Sequence, residues 1–200
     1  YWYFRNIGHE KCQIVDTWWQ TETGGILVSP QPGVAPIPLK AGSATFPIAG
    51  VEADVYSEDG KSAKAGEKGY MVIKRPRPGQ FMTLWHDPEK FKQVYFTRFP
   101  GIYYAGDYAM KDDDGYFWLL GSADELLKVA GHRIGTIELE DSLISHPAVA
   151  ESAVIGKADP VKMEVPVAFV VLKPNYAPTP ELKKELSNHV RTTIGPIAVP

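Results

Sequence analysis

Cysteine is almost missing from this sequence: Cys12 is the sole example among 200 residues. An intrachain disulfide is therefore excluded, which suits a reducing compartment. No apolar run reaches the roughly 18 residues of a membrane-spanning helix, so a cytoplasmic protein without a transmembrane segment is expected. An excess of either charge is missing too, since 21 Lys and Arg meet 24 Asp and Glu for a formal net charge of -3. That balance carries no basic footprint for nucleic acid or an anionic membrane, so the expected partners are small molecules, and a polyanion must be met by a few local side chains. Internal repeats, heptads and low-complexity tracts are absent, as is a glycine-rich phosphate loop of either common spacing. If a nucleotide is handled, its phosphate loop lies outside these residues. A start methionine and a signal peptide are absent as well, and Pro200 closely follows a helix, so the chain is expected to be cut at both ends.

What is present is ordinary globular material, 44% hydrophobic and 22% charged, enough for a real core in one or two domains. One stretch departs from the ordinary. Asp16-Thr17-Trp18-Trp19-Gln20-Thr21-Glu22-Thr23-Gly24-Gly25 joins two indoles, carboxylates, an amide, three hydroxyls and a diglycine. Indoles offer flat apolar walls, hydroxyls and amides bind phosphate-like oxygens, Glu22 can hold a hard cation, and glycines let backbone approach a ligand. The stretch reads as a nucleotide and acyl site, fed by a buried strand over Gln13–Asp16.

The rest of the chain reads as scaffold around it. Gly25–Gly50 is rich in Pro and Gly and is expected to be loop. Val51–Tyr56 and Tyr70–Lys74 are expected strands. Asp87-Pro88-Glu89 starts a short helix carrying Phe91, Val94 and Tyr95 on one face, expected to be purely structural. Tyr103–Met110 and Tyr116–Gly121 are expected strands joined by an acidic turn, Lys111-Asp112-Asp113-Asp114-Gly115, which reads as solvated rather than calcium-binding. Asp107 differs from those turn acids. It follows Ala105-Gly106 inside a strand, where a carboxylate needs donors, and ribose hydroxyls would supply them.

Beyond Gly121 strands and helices alternate. A hairpin over Leu126–Ile134 turns at Ala130-Gly131-His132-Arg133, a helix capped by Thr136 runs to His146, strands follow at Val149–Ile155 and Val165–Leu172, and Thr179 caps a last helix. His9-Glu10-Lys11-Cys12 has metal-ligand residue types without a second pair and reads as surface. The expected architecture is α/β (α+β): residues 1–121 as the end of a large β-rich domain, 122–125 as a hinge, and 126–200 as a small mobile domain.

Four stretches, in order and spacing, resemble the AMP-forming acetyl-CoA synthetases of the adenylate-forming acyl- and aryl-CoA ligase superfamily. Asp16–Gly25 is similar to the family's acyl-adenylate motif, and Tyr104-Ala105-Gly106-Asp107 to its ribose-binding motif. Gly121-Ser122-Ala123-Asp124-Glu125 is similar to its hinge, and Lys128–Gly135 to the hairpin opening its mobile C-terminal domain. The resemblance implies that acetate reacts with MgATP to give an acyl-adenylate and pyrophosphate, after which the small domain rotates and coenzyme A releases the thioester and AMP. By the same resemblance Thr17 and Trp18 line the adenine and ribose side, Asp16 helps fix the base, and Trp19 walls off the acyl pocket. Gln20 and Thr21 contact the acyl carboxylate or the α-phosphate, and Glu22 holds Mg2+. Asp107 takes the ribose hydroxyls, Arg133 the phosphate, and Asp124 is the hinge residue. Gly131 leaves room for pantetheine, and Arg191 lies near coenzyme A. The resemblance also puts the phosphate loop before residue 1 and a catalytic lysine beyond Pro200, so the 200 residues alone are expected to be inactive.

The chemistry asks for such a residue set. Bringing a carboxylate onto an α-phosphate joins two anions, so catalysis rests on positioning and charge neutralisation. No general base is needed, because the carboxylate is already ionised. Two positions depart from the family pattern: Ser122 stands where relatives carry arginine, and Ala105 where serine or threonine is usual. The sequence leaves open a ligase for propionate or another short acid, and a non-catalytic nucleotide-binding regulator built on the same fold.

Overall fold

A computed structural model describes residues 1–200, which form two compact units, Tyr1–Leu119 and Leu120–Pro200, each with its own apolar core. The architecture is mixed α and β, as the sequence pattern implies. No helix is long and apolar enough to cross a membrane.

The first unit contains helix α1 (Trp2–Asn6), strands β1 (Trp18–Gln20), β2 (Gly25–Val28), β3 (Ala53–Tyr56) and β4 (Lys68–Ile73), helix α2 (Pro88–Phe96) and strand β5 (Tyr103–Lys111). Strand β6 (Phe117–Ser122) leads out of it. The expected strand over Gln13–Asp16 does not form. Ile14 and Val15 are 43% and 48% exposed, and the strand begins at Trp18. The reason is pairing: only Trp18–Gln20 faces β2, which folds back antiparallel over a single turn. Strand β2 also shortens the expected loop, because Leu27 and Val28 are fully buried in the core beside Val55, Met71 and Phe117.

The main sheet runs β3-β4-β5-β6. In the β4/β5 ladder Tyr70 faces Tyr108 and Val72 faces Tyr104, so the one intervening residue of β4, Met71, stands opposite three of β5. The slack holds Ala105, Gly106 and Asp107, with Gly106 at φ +79°, a region that side chains disfavour. A bulge re-aims side chains, and here it carries Asp107. Helix α2 starts as its sequence implies, with the Asp87 carboxylate accepting from the Lys90 N–H at 3.0 Å and Pro88 at the first position. The acidic turn after β5 is tied down by Lys40, which pairs with Asp112 and, at 2.5 Å, with Asp114.

In the second unit the order is β7 (Leu126–Val129), β8 (His132–Gly135), α3 (Thr136–Ile144), β9 (Val149–Asp159), β10 (Met163–Leu172) and α4 (Pro180–Thr193), with the sheet ordered β8-β7-β10-β9. The hairpin turn is tighter than expected. Ala130 and Gly131, at φ +48° and +83°, turn alone, and Arg133 stands in β8 opposite Lys128. Thr136 is not the cap of α3: Gly135 holds that position in extended backbone with no side-chain bond, because the chain passes straight from β8 into the helix. Thr179 does cap α4, accepting from the Leu182 N–H at 3.2 Å. Leu127, Val129, Leu139, Leu143, Val154 and Val190 fill this unit's core.

Candidate active site

Alternation along β1 sends the two indoles to opposite sides, Trp18 into the core at 7% exposure and Trp19 out at 57%. After Gln20 the chain reverses through a 3-10 turn, Thr21–Thr23, closed by reciprocal bonds between Gln20 and Thr23. The Gln20 N–H donates to Thr23 Oγ1 at 3.0 Å, and the Thr23 hydroxyl donates to the Gln20 carbonyl at 2.8 Å. Gly24 follows at φ +64°, and a Cβ there would stand 2.0 Å from the Gly79 carbonyl oxygen. The diglycine was expected to admit a ligand. In the structure its first member admits another stretch of backbone.

Around this turn the named polar groups converge. Trp18 Nε1 donates to Asp107 Oδ2 at 2.8 Å, and Gln20 Nε2 donates to the same oxygen at 3.2 Å and to the Ala105 carbonyl at 2.6 Å. The other end of the Gln20 amide accepts from the Tyr103 hydroxyl at 2.9 Å. Glu22 Oε1 accepts from the Tyr95 hydroxyl at 3.0 Å, and its carbonyl accepts from the Phe81 N–H at 2.9 Å. Trp18, Gln20, Glu22 and Asp107, separated by up to 89 positions, thus form one connected patch with Asp107 Oδ1 left for further donors.

Of the remaining expected site residues, Asp16, Thr17 and Thr21 belong to the first unit. Asp16 is exposed and lines a separate cavity of about 500 Å³ with Tyr1, Phe4, Gln13 and Lys40. Thr17 is half-buried, and Thr21 is exposed at the start of the turn. Asp124, Gly131, Arg133 and Arg191 belong to the second unit. Asp124 is exposed in the 3-10 turn Ala123–Glu125, where the Ser122 hydroxyl accepts from its N–H at 3.3 Å. Ser122 thereby has a local capping role. Gly131 is exposed at the hairpin tip, Arg133 half-buried in β8, and Arg191 exposed in the last turn of α4.

Two family models match: "AMP-binding enzyme" over residues 2–85 and "AMP-binding enzyme C-terminal domain" over 138–200. The chain belongs to the AMP-binding enzymes. Acetyl-coenzyme A synthetases of Pyrobaculum aerophilum, Chlorobaculum tepidum and Salmonella typhi are 58%, 49% and 47% identical to it over 199 residues. The chain is covered completely and spans about 30% of the length of these relatives. Among solved structures, the anthranilate CoA ligase AuaEII in complex with anthranoyl-AMP matches with a TM-score of 0.76 and 33% identity over 93% of this chain and 34% of that one. An ATP-bound RpMatB-BxBclM chimera matches at 0.79 and 30% over 94% and 36%.

The electrostatics of the patch follow from burial. Burial pushes the Asp107 carboxyl up from its ordinary range, the Trp18 N–H pulls it part of the way back, and the charge of Glu22 pushes it up again. Burial also pushes the Tyr103 hydroxyl far above the usual phenol range, with Glu22 adding to it. Tyr95 is raised by burial and by its bond to Glu22. Both phenols therefore stay protonated donors. Sequence reasoning missed these two tyrosines and took α2 as purely structural, whereas Tyr95 of that helix reaches Glu22. One signal was readable: each is a hydroxyl-bearing ring in an otherwise apolar setting, and buried hydroxyls seek partners.

Proposed function

We propose that this chain is part of an AMP-forming ligase that converts acetate, ATP and coenzyme A to acetyl-CoA, AMP and pyrophosphate. The observation that carries this reading is identity of 47–58% along the entire chain to proteins called acetyl-coenzyme A synthetase. The Trp18–Asp107–Gln20 cluster gives it a physical basis. Two N–H groups hold Asp107 Oδ2, so Oδ1 is presented to a ribose diol. Both ends of the Gln20 amide are engaged within the protein, so we assign Gln20 to holding Asp107, and Thr21 to contacting the α-phosphate or the acyl carboxylate. Trp18 lines the ribose side with Thr17, and Asp16 meets the base. Arg133 neutralises phosphate in the adenylation step, where the gain comes from charge placed in advance.

Magnesium suits the residues present. No group of three or more His, Cys, Asp or Glu could hold an ion in this chain, yet Mg2+ is commonly held by one or two carboxylates with substrate phosphates and water. Glu22 offers its second oxygen for that purpose, and the bound ion would offset phosphate charge. Residues 1–121 would belong to the large domain and 126–200 to the small one, with Asp124 in the hinge 122–125. Gly131 and Arg191 would serve the thioester step beside coenzyme A.

The full-length ligase should exchange pyrophosphate into ATP with acetate, and weakly with butyrate. Trp19→Gly should reverse that order by about tenfold or more, because an exposed, rigid indole excludes longer acids by overlap. Unchanged selectivity would remove Trp19 from the pocket, and no exchange with any short acid would overturn the reading. Asp124→Pro should lower thioester formation at least tenfold more than adenylation, since proline restricts the backbone a hinge must rotate. Equal loss in both half-reactions would place the pivot elsewhere.

A further inference from the structure

Tyr95 and Tyr103 come from different elements, α2 and β5, yet their rings stack at 5.6 Å between centroids and 10° between planes. Neighbouring rings immobilise the pair. Phe81 meets Tyr95 edge-on at 4.9 Å and Tyr103 at 6.4 Å, and Phe96 packs on Tyr103 at 6.0 Å. A tyrosine held this way has its hydroxyl at a fixed point, because only two torsions place it. One hydroxyl donates to Glu22 and the other to Gln20, the two flexible side chains that flank the Thr21 end of the motif.

We propose that Tyr95 and Tyr103 are positioning residues, a stacked pair that fixes Glu22 for a divalent cation and Gln20 for Asp107. This rests on the nucleotide reading of the site above and adds residues to it. The Tyr103 hydroxyl donates to the amide oxygen, so the amide nitrogen is turned to the Ala105 carbonyl and to Asp107. A flipped amide would set its oxygen against that carbonyl and a carboxylate, an arrangement of like partial charges. Tyr95 holds Oε1 of Glu22 and leaves Oε2 for the metal. Partners of a metal-binding carboxylate tune its affinity by fixing its direction. Because the two hydroxyls serve different side chains, their effects are separable: Tyr95 governs the metal and Tyr103 the nucleoside.

Phenylalanine at each position keeps the ring stack and removes only the hydroxyl, so folding is preserved and melting temperature serves as the control. Calorimetry on the full-length protein would measure AMP without metal, and ATP across a magnesium titration. Tyr103→Phe should weaken AMP by about tenfold, as expected for an unpaired amide oxygen beside a charged hydrogen bond. Tyr95→Phe should leave AMP unchanged and raise the magnesium concentration for half-maximal ATP binding by about tenfold. In a Glu22→Gln background the second effect should vanish, since Tyr95 acts through that carboxylate. Changes below twofold, or equal weakening of both ligands with a fallen melting temperature, would overturn the proposal and leave the hydroxyls as structural. The acid specificity stands apart from these measurements. Exchange that fails with acetate while the two binding effects appear would sink the acetate assignment and keep the tyrosine roles.

Discussion

Asp107→Asn is expected to weaken nucleotide binding by about 100-fold without lowering the stability of the protein. Asparagine keeps an acceptor for the Trp18 and Gln20 N–H groups but loses the charge that strengthens bonds to a ribose diol. Hydrogen bonds to a charged group are worth roughly 1.5–3 kcal/mol each, so two weakened bonds reach about 100-fold. Stability moves the other way because burial disfavours the ionised form of Asp107. The sign follows from the raised folded pKa. Protonation stabilises the fold below the ordinary value of 3.8, and that contribution is lost as pH rises through the folded value. At neutral pH the wild type has lost it, and asparagine, which never ionises, has not. The variant should therefore melt at or above the wild-type temperature at pH 7, with the advantage disappearing below about pH 4. Thermal unfolding at both pH values and nucleotide titration check the two halves. Unchanged affinity would remove Asp107 from the ribose site, and a large drop in melting temperature would make it a structural acid.

A second large effect is expected at Asp54, a carboxylate 3% exposed in β3. Lys74 and Lys111 reach it at 2.7 and 2.6 Å, and the Ser62 hydroxyl donates to it at 3.1 Å. Burial pushes this carboxyl up, but the bonds from Lys111 and Lys74 outweigh it and hold the group below its ordinary range. The two ways of breaking the cluster should differ. Changing Lys74 and Lys111 together to methionine leaves a buried charge without cations and should cost about 3–5 kcal/mol. Asp54→Asn should cost about 1–3 kcal/mol, because the lysines, 39% and 28% exposed, can turn to solvent. Here the folded pKa is depressed, so the stabilisation is present above 3.8 and is lost as pH falls through the folded value. Denaturant titrations at pH 7 and near pH 2 test both points. If the double methionine variant were no less stable than Asp54→Asn, the cluster would not be holding the sheet.

Asp54 also shows where sequence reading stops. Nothing in Ala53-Asp54-Val55-Tyr56 marks its acid as buried, because its two lysines stand 20 and 57 positions away. Elements with local chemistry were legible. Asp87-Pro88 and Thr179-Pro180 start helices, and Ala130-Gly131 turns a hairpin, because caps and turns are decided by neighbours along the chain. Elements that depend on a remote partner were not. Ile14-Val15 look like a strand, but no strand comes alongside, and Thr136 looks like a cap that Gly135 already is.

The motif from Asp16 to Gly25 divides along the same line. By itself the sequence determined that two indoles, an amide and a carboxylate are gathered with a diglycine in one short stretch, and that Asp107 sits in a strand next to a glycine. Its resemblance to the AMP-binding enzymes carried the family assignment. The tertiary structure decided the rest: the bulge in β5 that turns Asp107 toward Trp18 and Gln20, and the stacked tyrosines that bind Gln20 and Glu22. The physical reason is one of range. Side-chain type and local backbone preference are written in neighbouring residues, whereas a hydrogen bond across more than 70 positions exists only once the sheet has brought its ends together.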